Sequence, residues 1–181
     1  MTKSEIILAN REFLFPAVFH YYKDPLVISR AKDQYVWDAD GAQYLDFFGG
    51  IVTVSVGHCN DQVNAKLHKQ MDTLQHVSTV FANEPQAALA KKLASITPEG
   101  KLTKSFFTNS GTEANETAIV AARCYTGSSE IVALRHSYHG RSALTMTMTG
   151  HANFSTGGAK DFDVEMDSRQ GGFKVVKMEF K

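Results

Sequence analysis

Short apolar runs alternate with helix-like stretches in the second half of the chain. KSFFTN (104–109) and EIVALR (130–135) have the length and the β-branched or aromatic content of buried strands. GTEANETAIVAARCY (111–125) predicts a helix after the first run, and GRSALTMTMTG (140–150) contains a shorter one after the second. This alternation is typical of right-handed βαβ units in a parallel sheet, so the sequence predicts an α/β fold.

The first half of the chain contains a hairpin signal. YVWDADGAQYLDFF (35–48) places two strand-like runs around residues 38–41, where Gly41 can adopt a positive φ without a steric penalty. FGGIVTVSVGH (48–58) is rich in β-branched residues, and we expect an extended segment that is interrupted at residues 49–50. Both features predict short β structure before the first long helix.

Two further helices are predicted between the hairpin and the second half. Asp61 can cap a helix that runs to about His76, and residues 83–85 open another that runs to about Ile96. The first of these helices has apolar residues at helical spacing, namely Val63, Leu67, Met71 and Leu74. Residues 1–23 are mixed and aromatic-rich, and we expect an arm that packs on another surface.

The composition narrows the class of ligand. Of the 181 residues, 43% are hydrophobic and 21% are charged, which is typical of a globular protein. The 19 basic and 19 acidic residues cancel, so we expect neither nucleic acid nor a membrane as a partner, and a small neutral or anionic ligand fits better. Cys59 and Cys124 lack metal-ligand spacing, and the apolar run at residues 6–9 is too short for an export signal. We therefore expect a cytoplasmic protein without a metal site.

The junction between the strand-like run at 104–109 and the helix-like run that follows can hold an anion. The first amides of a helix lack acceptors and carry positive partial charge. Gly111 lets an oxyanion approach the backbone, and Ser110 and Thr112 add hydroxyl donors on either side. The alternative is a capping box formed by Ser110 and Glu113, which needs no ligand. The segment has no Walker lysine and no GxGxxG, so a nucleotide loop is poorly supported, although a plain phosphate or nucleotide binder stays open.

A second group of candidate residues follows the strand-like run EIVALR. Tyr138 and His139 are expected at the same edge of the inferred sheet as Ser110, where an aromatic ring can stack on a flat heteroaromatic ligand and Gly140 leaves room behind it. The alternative is that Tyr138 is an ordinary packing residue and that the spacing of His136 and His139 is chance.

Three motifs in order resemble one family. GAQYLDFFGGIVTVSVGH, TNSGTEANETAIVAAR and SYHGRSALTMTMTG, within about residues 20–158, resemble the amino-terminal portion of a class III pyridoxal-phosphate-dependent aminotransferase of fold type I. The resemblance implies an incomplete α/β fold, namely an amino-terminal small-domain segment with a hairpin and an arm (1–60), followed by the first βα units of the large parallel-sheet cofactor domain (61–160). Residues 161–181 leave the family pattern, and within them FKVVKMEF (173–180) alternates like a strand or is a frayed tail.

The resemblance also implies roles for individual residues. The cofactor would be pyridoxal 5'-phosphate (PLP), whose phosphate is bound in the family by the segment that matches Ser110, Gly111 and Thr112. The aromatic residue that stacks on the pyridine ring matches Tyr138, and His139 is its neighbour in the motif. Candidates for the wall of the substrate pocket are Gly50, Ile51 and Val52. Asn115 and Glu116 are expected to serve the helix and local hydrogen bonds.

The implied activity is transfer of an amino group from an amino acid or amine to a 2-oxo acid by an enzyme that is a homodimer when complete. No lysine among Lys160, Lys174, Lys177 and Lys181 lies in the context of the family's Schiff-base lysine, so no catalytic residue is assigned and we expect the chain alone to be inactive. The same motifs fit a PLP-dependent phospho-lyase. A non-catalytic remnant that binds only cofactor or a partner chain is the remaining alternative.

Overall fold

The chain divides into two compact units. This computed structural model describes residues 1–16, 18, 20, 22–134, 136–150, 164–165 and 173–177. The first unit spans residues 1–83 and the second spans residues 84–181. The elements of the first unit are α1 (Lys3–Phe13), β1 (Ile28–Lys32), β2 (Tyr35–Asp38), β3 (Gln43–Leu45), α2 (Gly49–Val52) and α3 (Asp61–Thr73). The elements of the second unit are α4 (Glu84–Ile96), a 3₁₀ turn (Pro98–Gly100), α5 (Gly111–Thr126), β4 (Glu130–Leu134), α6 (Ala143–Met148), β5 (Val164–Glu165) and β6 (Phe173–Lys177). The division at residues 60 and 160 that the resemblance implies stays a prediction.

An antiparallel sheet in the order β1–β2–β3 lies in the first unit and confirms the predicted hairpin. Its turn is closed by the buried carboxylate of Asp38, which accepts hydrogen bonds from the amides of Asp40 (3.0 Å) and Ala42 (2.8 Å). The hydroxyl of Tyr44 donates to the same carboxylate at 2.8 Å. Gly41 has a φ of +89°, as the turn requires.

The segment after the hairpin is not the extended strand that its β-branched residues predict. Residues 49–52 form the single turn α2, and all four have positive φ, from +53° at Gly49 to +65° at Val52. Asp46 starts this turn because its Oδ1 atom accepts from the amides of Phe48 and Gly49, both at 2.9 Å. The interruption at residues 49–50 was predicted, but it is a helical turn and not a break within a strand.

The long helices agree closely with their predicted positions. The N-cap of α3 is Asn60 and not Asp61, because Asn60 Oδ1 accepts from the amides of Gln62 (3.1 Å) and Val63 (3.2 Å). The helix ends at Thr73 instead of His76. Its apolar stripe is about half exposed, at Val63, Leu67, Met71 and Leu74. Helix α4 spans the predicted residues, and α1 is an additional helix within the amino-terminal segment.

In the second unit, α5, β4, α6 and the strand at 173–177 are confirmed, whereas the strand predicted at 104–109 was wrong. Residues 101–108 have no regular secondary structure, and Phe106 is 77% exposed. A strand requires a neighbour for its backbone groups, and no described strand pairs with this segment. The sheet that is described has the order β4–β6–β5 with antiparallel pairing, which differs from the expected parallel arrangement.

A small apolar core joins α5, β4 and α6. Its buried members are Ile119, Ala133 and Met148, and Ile131 and Leu144 pack against them. This core packs α5 and α6 against the strand between them, and the amino terminus of α5 carries part of the candidate site. Over the described part of the chain, no helix combines the length and the apolar character needed to cross a membrane.

Candidate functional site

The amino terminus of α5 is capped and still has two open donors. Ser110 is the N-cap, and its Oγ accepts from the amide of Glu113 at 3.1 Å. The carboxylate of Glu113 accepts from the amide of Asn109 at 2.8 Å, not from the amide of Ser110 as in a capping box. Among the described residues, the amides of Gly111 and Thr112 have no acceptor. The capping interaction and an anion site, which the sequence presented as alternatives, are therefore compatible.

Open space lies beside these two amides. A Cβ atom built on Gly111 would meet no atom within 4 Å, and Gly111 is exposed. Helix α5 has 16 residues, so its aligned peptide dipoles place positive partial charge at this end. The hydroxyls of Ser110 and Thr112 each accept a backbone hydrogen bond and keep their own proton for a further acceptor. The arrangement can bind an oxyanion such as a phosphate.

The segment that contains Tyr138 is held by its own hydrogen bonds. We refer to residues 137–142 as the tyrosine loop. The hydroxyl of Ser137 donates to the carbonyl oxygen of Leu134 at 2.5 Å, so the Nε2 atom of His139, 2.9 Å away, is the donor to that hydroxyl. Tyr138 between them is 51% exposed. The loop thus presents a half-exposed aromatic ring, while the side chain of His139 is engaged within the loop.

One face of α5 holds the tyrosine loop against the open amides. The residues on this face lie at i, i+3 and i+4 and are Thr112, Asn115 and Glu116. Thr112 Oγ1 accepts from the Arg141 amide at 3.3 Å, Asn115 Nδ2 donates to the His139 carbonyl oxygen at 2.7 Å, and the Ser142 hydroxyl donates to the Glu116 carboxylate. Asn115 and Glu116 were expected to serve the helix and local hydrogen bonds, but their partners lie 24 and 26 residues away in the sequence. The structure therefore brings together the two predicted groups of site residues.

Gly140 permits the close approach of the loop to the helix. Its φ is +133°, and a Cβ atom there would lie 2.5 Å from Thr112 Oγ1 and 2.7 Å from Thr145 Oγ1. Both distances are shorter than real Cβ contacts. The room that the sequence indicated at Gly140 is thus taken up by two threonine hydroxyls of the protein.

Thr145 and Thr149 are site residues that the sequence did not indicate. Both are fully buried. Thr145 Oγ1 accepts from the amide of Ser142 at 3.1 Å, and Thr149 Oγ1 accepts from the amide of His139 at 3.0 Å. The signal that could have found them is the alternation of threonine with apolar residues in LTMTMTG, because a polar residue that recurs in an apolar run needs a buried partner.

The predicted substrate-pocket residues lie in the first unit. Gly50 lines a cavity of about 1000 Å³ together with Asp46 and His58, while Ile51 and Val52 are 71% and 82% exposed. The ring of His58 lies 2.7 Å from the carboxylate of Asp46, and this hydrogen bond is the main cause that lowers the pKa of Asp46 below its usual value. This hydrogen bond links Asp46, which precedes α2, to His58, which follows it.

Comparisons with known proteins agree with one another. The family model described as Aminotransferase class-III matches residues 19–175, which extends past residue 158, where the resemblance stated from the sequence ends. The chain is 43% identical to alanine–glyoxylate aminotransferase 2, mitochondrial, of Homo sapiens over 146 residues, which cover 81% of this chain and 28% of that protein.

Two solved structures are also similar. Taurine:2-oxoglutarate aminotransferase from Bifidobacterium kashiwanohense, in complex with PLP and glutamate, has a TM-score of 0.76 and 28% identity over 85% of this chain and 34% of that one. A phospholyase from Arthrobacter in complex with phosphoethanolamine has a TM-score of 0.74 and 29% identity over 81% of this chain and 34% of that one. The chain spans about a third of the length of the proteins that it matches.

Proposed function

From the premise that the chain belongs to the class III aminotransferase family, we propose that it forms the phosphate-binding and ring-binding part of a PLP-dependent aminotransferase. The family resemblance and the incomplete fold-type-I class that the sequence predicted are confirmed. The cofactor, the site residues and the reaction extend beyond that finding and are the content of the proposal.

The phosphate of PLP fits the amino terminus of α5. The amides of Gly111 and Thr112 and the hydroxyls of Ser110 and Thr112 supply donors around open space. A phosphate monoester carries close to two negative charges at neutral pH, so it gains from the helix dipole as well as from the hydrogen bonds. The single observation that carries the proposal is that the open donors lie beside the tyrosine loop, which is hydrogen-bonded to α5.

Tyr138 is the residue proposed to stack on the pyridine ring. Its loop is fixed to α5, so the ring is presented from a rigid support and loses little conformational entropy on binding. His139 acts by holding the loop, because its ring is hydrogen-bonded to Ser137. Gly50, Ile51 and Val52 stay candidates for the substrate pocket.

When bound, PLP supplies an electron sink for bonds at the carbon that carries the amino group. In this proposal the residues of this chain bind and orient the cofactor. We propose an amino acid or amine as donor, a 2-oxo acid as acceptor and a homodimer for the complete enzyme, in line with the family. Because no lysine here lies in the family's catalytic context, we propose that the 181 residues bind the cofactor without turnover.

Titration of the chain with PLP, followed by the absorption of the cofactor, tests the proposal. We expect PLP to bind about tenfold or more tightly than pyridoxal, which lacks the phosphate, and inorganic phosphate but not nucleotides to compete. Gly111→Glu places a negative charge in the open space at a position where helices favour one, so it should weaken PLP binding about tenfold without loss of helix. The matched control is Ala118→Glu, which adds the same charge at an exposed position further along α5.

Two outcomes would contradict the phosphate site. One is equal binding of PLP and pyridoxal, and the other is equal affinity of the Gly111→Glu and Ala118→Glu variants for PLP. Competition by nucleotides would instead favour a plain nucleotide binder.

A PLP-dependent phospho-lyase is the second candidate, because the structural similarity to the Arthrobacter phospholyase is almost as high as that to the aminotransferase. The cofactor-binding residues fix the cofactor and not the fate of the substrate. Product analysis of the complete enzyme separates the two activities. A keto acid with nitrogen transferred to the acceptor indicates an aminotransferase, whereas an aldehyde with free ammonia and phosphate indicates a lyase.

A further inference from the structure

The backbone of His139 is held from two sides by side chains that are distant in sequence. Asn115 Nδ2, on α5, donates to its carbonyl oxygen at 2.7 Å. Thr149 Oγ1, just after α6, accepts from its amide at 3.0 Å. Both hydrogen bonds have good lengths, and together they engage both backbone polar groups of the residue that follows Tyr138.

The hydrogen bond from the His139 amide to Thr149 has a fixed direction. Its hydroxyl proton is donated to the carbonyl oxygen of Thr145 at 3.0 Å, so the lone pairs of the oxygen are left for the amide of His139. Thr149 is fully buried, and a β-branched side chain has few rotamers, so this acceptor cannot move aside. Removal of the hydroxyl would leave the amide of His139 without its acceptor, and an unsatisfied donor is costly in a partly buried site.

We propose that Asn115 and Thr149 are positioning residues that set the orientation of the Tyr138 ring toward the bound pyridine ring. The inference rests on the proposed function, in which Tyr138 stacks on PLP. Because neither side chain contacts the amides at Gly111 and Thr112, the pair governs the affinity for the ring part of the ligand and leaves the affinity for phosphate unchanged. A role limited to stability would change both affinities together.

Three variants test this proposal in the 181-residue chain. Thr149→Val removes the acceptor with the same shape, and Thr149→Ser keeps it. Asn115→Leu removes the amide donor at similar size without adding charge near the phosphate site. Each is measured with PLP and with inorganic phosphate, alone and combined with Tyr138→Ala.

We expect Thr149→Val and Asn115→Leu each to weaken PLP binding about tenfold, which corresponds to about 1.4 kcal/mol, and Thr149→Ser to stay within about twofold of the wild type. Phosphate affinity should change by less than about twofold in all of them. In the Tyr138→Ala background, Thr149→Val should have no further effect on PLP. The proposal is overturned if phosphate and PLP affinities fall together, or if the full effect of Thr149→Val persists without Tyr138.

Hydrogen exchange of the ligand-free chain separates failure of this proposal from failure of the proposed function. If the wild-type chain binds no PLP, the proposed function is refuted, and the positioning role of Asn115 and Thr149 is then judged by the exchange of the amides in the tyrosine loop. Thr149→Val and Asn115→Leu should speed exchange across residues 137–142 but not across α6. Faster exchange at His139 alone overturns the positioning role of Asn115 and Thr149. Should Thr149→Val fail to fold, Asn115→Leu at its half-buried position decides by the same two measurements.

Discussion

Substitution of Gly140 by alanine should uncouple the tyrosine loop from α5. The added Cβ would lie 2.5 Å from Thr112 Oγ1, 2.7 Å from Thr145 Oγ1 and 3.0 Å from Thr112 Cβ. Neither threonine can turn away easily, because both are β-branched and both hydroxyls already accept backbone hydrogen bonds. The residue also has a φ of +133°, which side chains rarely adopt.

Two terms determine the magnitude of the destabilisation caused by Gly140→Ala. A non-glycine residue in a sparsely populated backbone region costs about 1–3 kcal/mol. Insertion of a methyl group into a packed site adds about 1–3 kcal/mol. We therefore expect Gly140→Ala to lower the free energy of local unfolding by about 2–6 kcal/mol, the sum of the two ranges, and to weaken PLP binding because the loop moves away from the helix.

Hydrogen exchange measured by peptide gives the local free energies. Protection should fall in α5 and the tyrosine loop, while the fluorescence of Trp37, the single tryptophan, should report an unchanged first unit. Gly127→Ala isolates the backbone term, because Gly127 has a φ of +71° and no atom within 4 Å of an added Cβ. Its cost should be about 1–2 kcal/mol. Equal losses for Gly140→Ala and Gly127→Ala would refute the steric reasoning, as would a loss below about 0.5 kcal/mol at Gly140.

Three further predictions concern caps and carboxylates. The pKa of Asp38 is lowered chiefly by the hydroxyl of Tyr44, so the stabilising effect of the ionised carboxylate is present above the ordinary carboxyl pKa of 3.8 and is lost as the pH falls through the lower folded value. Tyr44→Phe should therefore move the midpoint of acid unfolding to higher pH, and an unmoved midpoint would argue against this. Ser110→Ala should cost about 1 kcal/mol of helix stability in urea unfolding, and Ser110→Asn should restore it. Because His58 is the main cause of the lowered pKa of Asp46, His58→Ala should raise that pKa in a carboxyl NMR titration, whereas an unchanged value would contradict the bond.

Elements whose signals are local were predictable from the sequence. The hairpin turn follows from Asp38 and Gly41, and the start of α5 follows from Ser110. The end of α3 was placed three residues late because the apolar stripe continues to Leu74, which itself has extended backbone. Such signals work because a cap or a turn is decided by atoms within about four residues of each other.

Contacts between distant segments could not be predicted in the same way. Asn115 and Glu116 find their partners 24 and 26 residues away, and the sequence alone gives no reason to prefer those partners over water. The buried hydroxyl of Thr149 was missed for the same reason. The left-handed turn α2 was missed because it places Ile51 and Val52 at positive φ, where β-branched residues are rare.

The wrong prediction at residues 104–109 clarifies what the candidate site depends on. An apolar run forms a strand only when another strand accepts its backbone hydrogen bonds, and in the described part of the chain none does so for this segment. The site is nevertheless assembled, because the tyrosine loop is attached to α5 through Thr112, Asn115 and Glu116 and not through the pairing of the preceding segment. Cofactor affinity should therefore respond strongly to the polar face of α5 and weakly to changes of Phe106, whose side chain is largely exposed.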